Sequence, residues 1–139
     1  MHHSPVAIFA TIASDSTTSS SFQTIVFYNI VTNVGGGYNP RTGVFLTPTN
    51  GLYMFSTSVM VKLSTPTTNT RFKIRKNGSH VASLMASDIE GNWETVSGTV
   101  ILPLLVGDTV KVTCVESRRF ISGGHFTFFS GTKLSSVHK

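Results

Sequence analysis

Arg71, Lys73 and Arg75 alternate along one stretch of this chain. In an extended strand, where side chains repeat with period two, they would form a basic stripe on one sheet face. An exposed stripe of this kind attracts anions; the same residues serve equally as a solvated face or as half of an intersubunit salt bridge. Arg118-Arg119 is a second cationic feature, in a loop before the last strand. Two guanidinium forks can grip a carboxylate or phosphate bidentately, or simply remain solvated. Trp93 is the chain's single tryptophan. The register Glu94, Val96, Gly98, Val100, Leu102 suits a core, which puts Trp93 with Thr95, Ser97 and Thr99 on the other face. A lone Trp in that position is a sugar-stacking platform, an interface anchor, or a ring half-covered by a loop. Asn77-Gly78-Ser79 matches an N-glycosylation sequon, although turn chemistry accounts for the same residues.

Catalytic constellations are poorly represented. There is no Gly-x-Ser-x-Gly elbow, and His80 and His125 are the only plausible bases away from the termini. Each is better read as an ordinary surface or edge histidine. Asp88, Glu90 and Glu94 crowd one loop; they are too clustered for paired acid–base work and read as a solvated polar loop. They could bind calcium, which takes several hard oxygens, and no other cofactor is called for. Gly35-Gly36-Gly37 runs into Tyr-Asn-Pro, a β-turn composition rather than a phosphate cradle. These residues argue against an enzyme and for a binding protein.

The elements that must position these side chains are strands. Apolar residues recur with period two almost everywhere, and helical spacing is sustained nowhere. Strands are expected over Val6–Ala13, Thr24–Thr32, Val44–Leu46, Leu52–Leu63, Thr95–Leu105, Thr109–Val115 and His125–Leu134, with Asp15–Ser21 a flexible Ser/Thr loop. Asn77-Gly78 predicts a two-residue type I′ hairpin, because Asn and Gly accept positive φ cheaply. That hairpin pairs Lys76 with Ser79, Arg75 with His80 and Ile74 with Val81, and turns Phe72 and Ile74 to the core. Eight to ten short strands at turn spacings near ten residues read as a β-sandwich or jelly roll.

Composition agrees. With 139 residues the chain is one domain; residues 1–5 are read as a remnant or tail and 6–135 as the domain. About a quarter of the residues are Ser or Thr, and strong helix formers are scarce. A net charge of +5 biases the chain mildly toward anionic partners and falls short of a case for nucleic acid. The longest apolar stretch, around Val100–Val106, is interrupted by Pro103, so no membrane insertion is expected. A single cysteine, Cys114, excludes an internal disulfide.

From Phe27 to Phe55 the pattern becomes specific. Phe27, Asn33, Tyr38, Phe45, Gly51, Tyr53 and Phe55 stand at the separations of the globular head domain of complement C1q, within the tumour necrosis factor-like superfamily. Lys76-Asn77-Gly78, Leu105 through Val110 and Phe129-Ser130-Gly131 match further landmarks, so the resemblance covers Val6 to Leu134. The chain departs from the pattern at Thr57 and Thr132, where the family has aromatics. At Thr47 several relatives have Cys, so any disulfide tied to that position is absent.

The resemblance implies an all-β, ten-stranded jelly roll assembled as a homotrimer, without catalytic activity. No Gly-X-Y collagen stalk precedes Val6: either a stalk has been trimmed away, or the chain resembles the stalkless secreted proteins of invertebrates, molluscs especially. Tyr53, Phe55, Phe27, Phe126 and Phe128 are more aromatic surface than one thin sandwich readily buries, and a threefold interface would take the excess. The expected function is that of a secreted innate-immune recognition module. It would bind sialylated glycans or lipopolysaccharide through Arg118, Arg119, Trp93 and the Arg71–Arg75 stripe, with three copies multiplying weak contacts. Two rival readings are a trimeric ligand for a protein receptor and a purely structural trimerisation head.

Overall fold

The computed structural model describes residues 4–63, 69–87 and 92–136. Within them the chain forms thirteen strands and no helix: β1 (Ala7–Thr11), β2 (Ser16–Thr17), β3 (Gln23–Thr24), β4 (Asn29–Val34), β5 (Tyr38–Asn39), β6 (Val44–Leu46), β7 (Gly51–Lys62), β8 (Thr70–Lys76), β9 (Ser79–Ala86), β10 (Trp93–Leu104), β11 (Thr109–Cys114), β12 (Phe120–Ile121) and β13 (Phe128–Ser135). Four of these are two-residue pairings, which lifts the number above the eight to ten that spacing suggests.

All strand pairs are antiparallel, and they divide into two packed sheets. The first runs β4-β1-β13-β7, with β10 beside β7 and with β12 and β2 extending it; the second runs β5-β6-β11-β8-β9, with β3 on β11. Alternation is what sorts the side chains. On β7, Tyr53, Phe55, Thr57, Val59 and Val61 point inward and are fully buried. On β8, Phe72 and Ile74 do the same while Arg71, Lys73 and Arg75 face out. Trp93, Thr95, Ser97, Thr99 and Ile101 take the outward positions of β10, in the phase the sequence predicts.

Three expectations require correction. The Asn77-Gly78 turn has the positive φ angles of type I′ (51° and 85°) and pairs Lys76 with Ser79 and Arg75 with His80. Beyond it a bulge intervenes, so Ile74 faces Ala82 rather than Val81, and Val81 is left exposed. The run 15–21, expected as a loop, contains β2, which pairs with β12. The stretch 24–32 is two strands: β3 lies on the second sheet and β4 on the first, and residues 25–28 carry the chain across between them.

That crossing leaves the backbone at Phe27 outside any ladder, although its ring is fully buried. Tyr38 supplies the missing partners. Its hydroxyl accepts from the Phe27 N–H at 2.9 Å and donates to the Phe27 carbonyl at 2.9 Å. Tyr38→Phe strands both groups in a dry core and should cost roughly 2–4 kcal/mol in a urea titration. Burial pushes the Tyr38 phenol from its ordinary 10 up to about 12, against the opposing bond to Phe27. Burial likewise pushes the Cys114 thiol from 9 up to about 11. In both cases the unfolded chain loses its proton first as pH rises. Stability is therefore intact below pH 9 and is drained from there to about pH 12. The urea midpoint of the wild type should fall over that window. The midpoint of Tyr38→Phe should be the flatter one above pH 10; equal slopes would show that Tyr38 is not the group responsible.

The aromatic surplus expected for an interface is also largely absent. Tyr53, Phe55 and Phe27 are completely enclosed by their own chain, whereas Phe128 is half-buried and only Phe126, at 60% exposure, stands clear. The rings fit because they pile up rather than spread. Tyr53 stacks on Phe55 (6.0 Å, 10°), Phe55 on Phe129 (5.8 Å, 6°) and Phe129 on Phe27 (5.5 Å, 24°).

Candidate binding faces of the sandwich

Each sheet turns one face to solvent, and the two faces differ in chemistry. On the second sheet, β8 presents Arg71, Lys73 and Arg75. Pairing places Lys111 of β11 directly opposite Arg75, and Thr113 opposite Lys73. Val110, Val112 and Cys114 occupy the core positions of β11, so Lys111 shares the outward face with the stripe. Arg75 is held in place: its Nε donates to Thr113 Oγ1 (3.0 Å), its Nη1 to the Gly78 carbonyl (2.8 Å), and its guanidinium lies 5.5 Å from the centre of the Phe22 ring. Lys73 reaches Ser83 Oγ at 2.8 Å. Arg71 is paired, its Nε 2.7 Å from Glu116 Oε2, while its backbone N–H donates to Oε1.

The two arginines of the 115–119 loop do different jobs. Arg119 donates to the carbonyls of Asn69 (2.9 Å) and Ser117 (3.2 Å) and to Thr70 Oγ1 (3.0 Å). It thereby clasps this loop to the start of β8. Arg118 is exposed and sits at φ 60°. Thr18 enforces that turn: its carbonyl accepts from the Arg118 N–H at 2.7 Å and its hydroxyl from the Arg119 N–H at 2.9 Å. Arg119 thus already spends its Nε and one hydrogen of each terminal nitrogen on its own chain, whereas no such bonds hold the exposed Arg118 side chain among those described.

Trp93 lies on the other sheet. Register aligns it with Lys62 of β7, which in turn aligns with Phe120 of β12. Trp93 and Phe120 meet edge to face at 5.5 Å, with the Lys62 ammonium 5.9 Å from the indole. At 38% exposure Trp93 is a partly covered ring in a small aromatic–cation group, apart from the basic stripe. Elsewhere this outward face is made of small hydroxyls and apolar groups. Ser56 bonds Thr99 (2.8 Å) and Ser97 bonds Ser58 (2.9 Å), while Phe9 meets Phe128 edge to face at 5.6 Å.

Sequence reasoning missed Lys111, Phe22, Glu116, Lys62 and Phe120. Lys111 was within reach, since Val110 and Val112 flank it in strict alternation. The others come together only through pairing between distant strands. Asp88 and Glu90, two of the three acids considered for calcium, lie outside the described residues. Among the described residues no group of three or more His, Cys, Asp or Glu could hold a metal, and no helix is long and apolar enough to cross a membrane. His80 is exposed; His125, at φ 67°, has its Nδ1 2.8 Å from Thr11 Oγ1.

A family model described as the C1q domain matches residues 7–132. Complement C1q tumor necrosis factor-related protein 3 of Homo sapiens is 29% identical over 129 residues, which are 93% of this chain and 51% of that protein. Its Mus musculus counterpart has the same identity and coverage, so the chain spans about half the length of the curated relatives it matches. Among solved structures, the globular domain of zebrafish complement 1qA protein superposes with a TM-score of 0.74 at 16% identity, covering 99% of this chain and all of that one. Murine APRIL gives 0.74 at 15% identity (94% and 99% coverage), and Eiger TNF from S. frugiperda 0.76 at 11% (99% and 97%).

Proposed function

Because the chain belongs to the C1q domain family, we propose that residues 6–135 form a secreted, non-enzymatic recognition module. It works as a homotrimer and binds anionic carbohydrate, such as sialylated glycans or lipopolysaccharide, on microbial surfaces. The difference between its two outward faces carries this reading. C1q and TNF-like domains form homotrimers, and the outward face of the first sheet, made of hydroxyls and apolar groups apart from Lys62 at one end, suits contact between copies. The cationic face of the second sheet is then left to solvent, where it draws in negatively charged ligands. Glu116 neutralises Arg71 at one end of it, whereas Lys73, Arg75 and Lys111 are not matched by any acid on that face among the described residues.

The test is an array of sialylated, lipopolysaccharide-derived and neutral glycans probed with the intact chain. Binding should be confined to the anionic members and should weaken as salt rises through 0.1 M and beyond, as the screening length contracts to about 10 Å and below. Salt-insensitive binding to neutral sugars would overturn the assignment.

A second reading, a trimeric ligand for a protein receptor, is favoured by β4. This is an edge strand of the first sheet, and Ile30, Val31 and Val34 are exposed along it, with Tyr28 just before. An open apolar edge can accept a strand from a partner protein. Silence across the whole glycan array would leave that reading in place.

A further inference from the structure

Resting on the anion-binding reading above, we propose that the outward face of the second sheet is a track for a linear sulfated polysaccharide, with Phe22 as its side wall. A ligand with one isolated charge is held best where donors converge on one point. In Arg118-Arg119, the pair that the sequence offers for this, the Arg119 guanidinium already donates to the Asn69 and Ser117 carbonyls and to Thr70. The remaining cations are instead laid out in a line. Alternate residues of a strand are about 6.8 Å apart, so Arg71, Lys73 and Arg75 span roughly 13 Å, and Lys111 widens the row by one strand spacing of about 4.8 Å. A row of fixed charges is complementary to a ligand that repeats its own charge, as a polysaccharide sulfated along its length does.

Two further features point the same way. Ser83 and Thr113 interleave the cations on this face and already hydrogen-bond Lys73 and Arg75. Ser83 is exposed and supplies a short polar contact suited to sugar hydroxyls and sulfate oxygens, whereas Thr113 is buried and only anchors Arg75. Beside them Phe22 is held at φ 56° and is 56% exposed. A bulky side chain in the left-handed region costs of order 1–3 kcal/mol; here the Phe22 N–H donates to the Val115 carbonyl at 3.0 Å as the chain enters β3, and the ring is left in solvent against Arg75. With Arg71, Glu116, Ser117 and Arg119, Phe22 lines a shallow recess at the end of the row. An aromatic face beside cations suits the apolar face of a pyranose. Single-stranded nucleic acid, the other linear polyanion, is matched less well, because it calls for successive stacking platforms and this face offers one ring.

The intact chain is therefore tested on immobilised heparin, with fully desulfated heparin and a single-stranded oligonucleotide as rival probes. Heparin should bind and desulfated heparin should not. Lys73→Ala with Lys111→Ala, two partly exposed side chains whose loss leaves the core untouched, should weaken heparin binding about tenfold or more and lower its log–log salt slope by about two, one per cation removed. Phe22→Asn keeps a residue tolerant of the left-handed backbone and should weaken heparin binding without reducing thermal stability. Lys62→Ala, on the opposite sheet, should change neither. Unaltered heparin affinity in the double variant overturns the track, as does preference for the oligonucleotide. If heparin fails while sialylated glycans or lipopolysaccharide bind, the track is wrong and the broader anion-binding reading survives; if no anionic probe binds, both fall.

Discussion

Phe55→Ala is expected to lower stability by about 3–5 kcal/mol, enough to unfold much of the population in a domain of ordinary marginal stability. Phe55 is fully buried at the centre of the ring column, parallel to Phe129 and Tyr53 and edge-on to Phe45 at 5.1 Å. Its neighbours cannot close the gap. Gly131 lies across the strand pair from it, and a Cβ built there would come within 2.6 Å of the Phe55 ring. The glycine is what makes room for the ring, so removing the ring leaves a void on the side where Gly131 has no side chain to move in, flanked by rings already packed against one another. Phe55→Leu keeps most of the volume and should lose far less. Urea unfolding followed by tryptophan fluorescence measures both. A loss below about 1 kcal/mol for the alanine variant, within the range of ordinary surface changes, would mean that the column does not hold the sandwich together.

If this chain forms the homotrimer of its family, Ile101→Glu should separate it into single chains. Ile101 is 57% exposed on the outward face of the first sheet, in register with Met54. If three copies meet through this face, the substitution places a carboxylate from each copy in a dry contact that holds no cation along its length except Lys62 at one end. An unpaired buried charge costs several kcal/mol, and here the cost recurs in every copy. Sedimentation should give a mass near three chains for the wild type and one chain for the variant, with the monomer's fold unchanged by circular dichroism. A variant that remains trimeric would move the contact to another face; a wild type that is monomeric at all concentrations would remove it.

The all-β class, the hairpin at Asn77-Gly78 and the inward phase of β8 and β10 were legible because each follows from a local rule: positive φ at a turn, or alternation along a strand. The resemblance carried by residues 27–55 led to the right family. What escaped the sequence depends on contacts between distant residues. Nothing local distinguishes residues 25–28, where the chain changes sheets, from the β-branched strands around them; the signal is Tyr38, whose hydroxyl satisfies Phe27 from eleven residues away. The aromatic surplus was misjudged because counting rings ignores how they stack. Arg119 and Arg118 look equivalent in sequence, and only the Asn69 carbonyl, brought close by folding, tells them apart. The stripe on β8 was legible as a stripe; its extension to Lys111 and Phe22 needed the β11 pairing and the Arg75 contact.

One feature of the strand order bears on how the molecule is made. β1 sits between β4 and β13, with Ile8 opposite Gly131 and Phe9 opposite Ser130. The strand of this domain that is made first therefore waits for the one made last before its second edge is hydrogen-bonded. A loop that closes over nearly the whole chain carries a large entropic barrier and slows the search for the native pairing. In the interval β1 is an apolar strand with one open edge, the kind of segment that a nascent chain must be shielded from sharing with its neighbours.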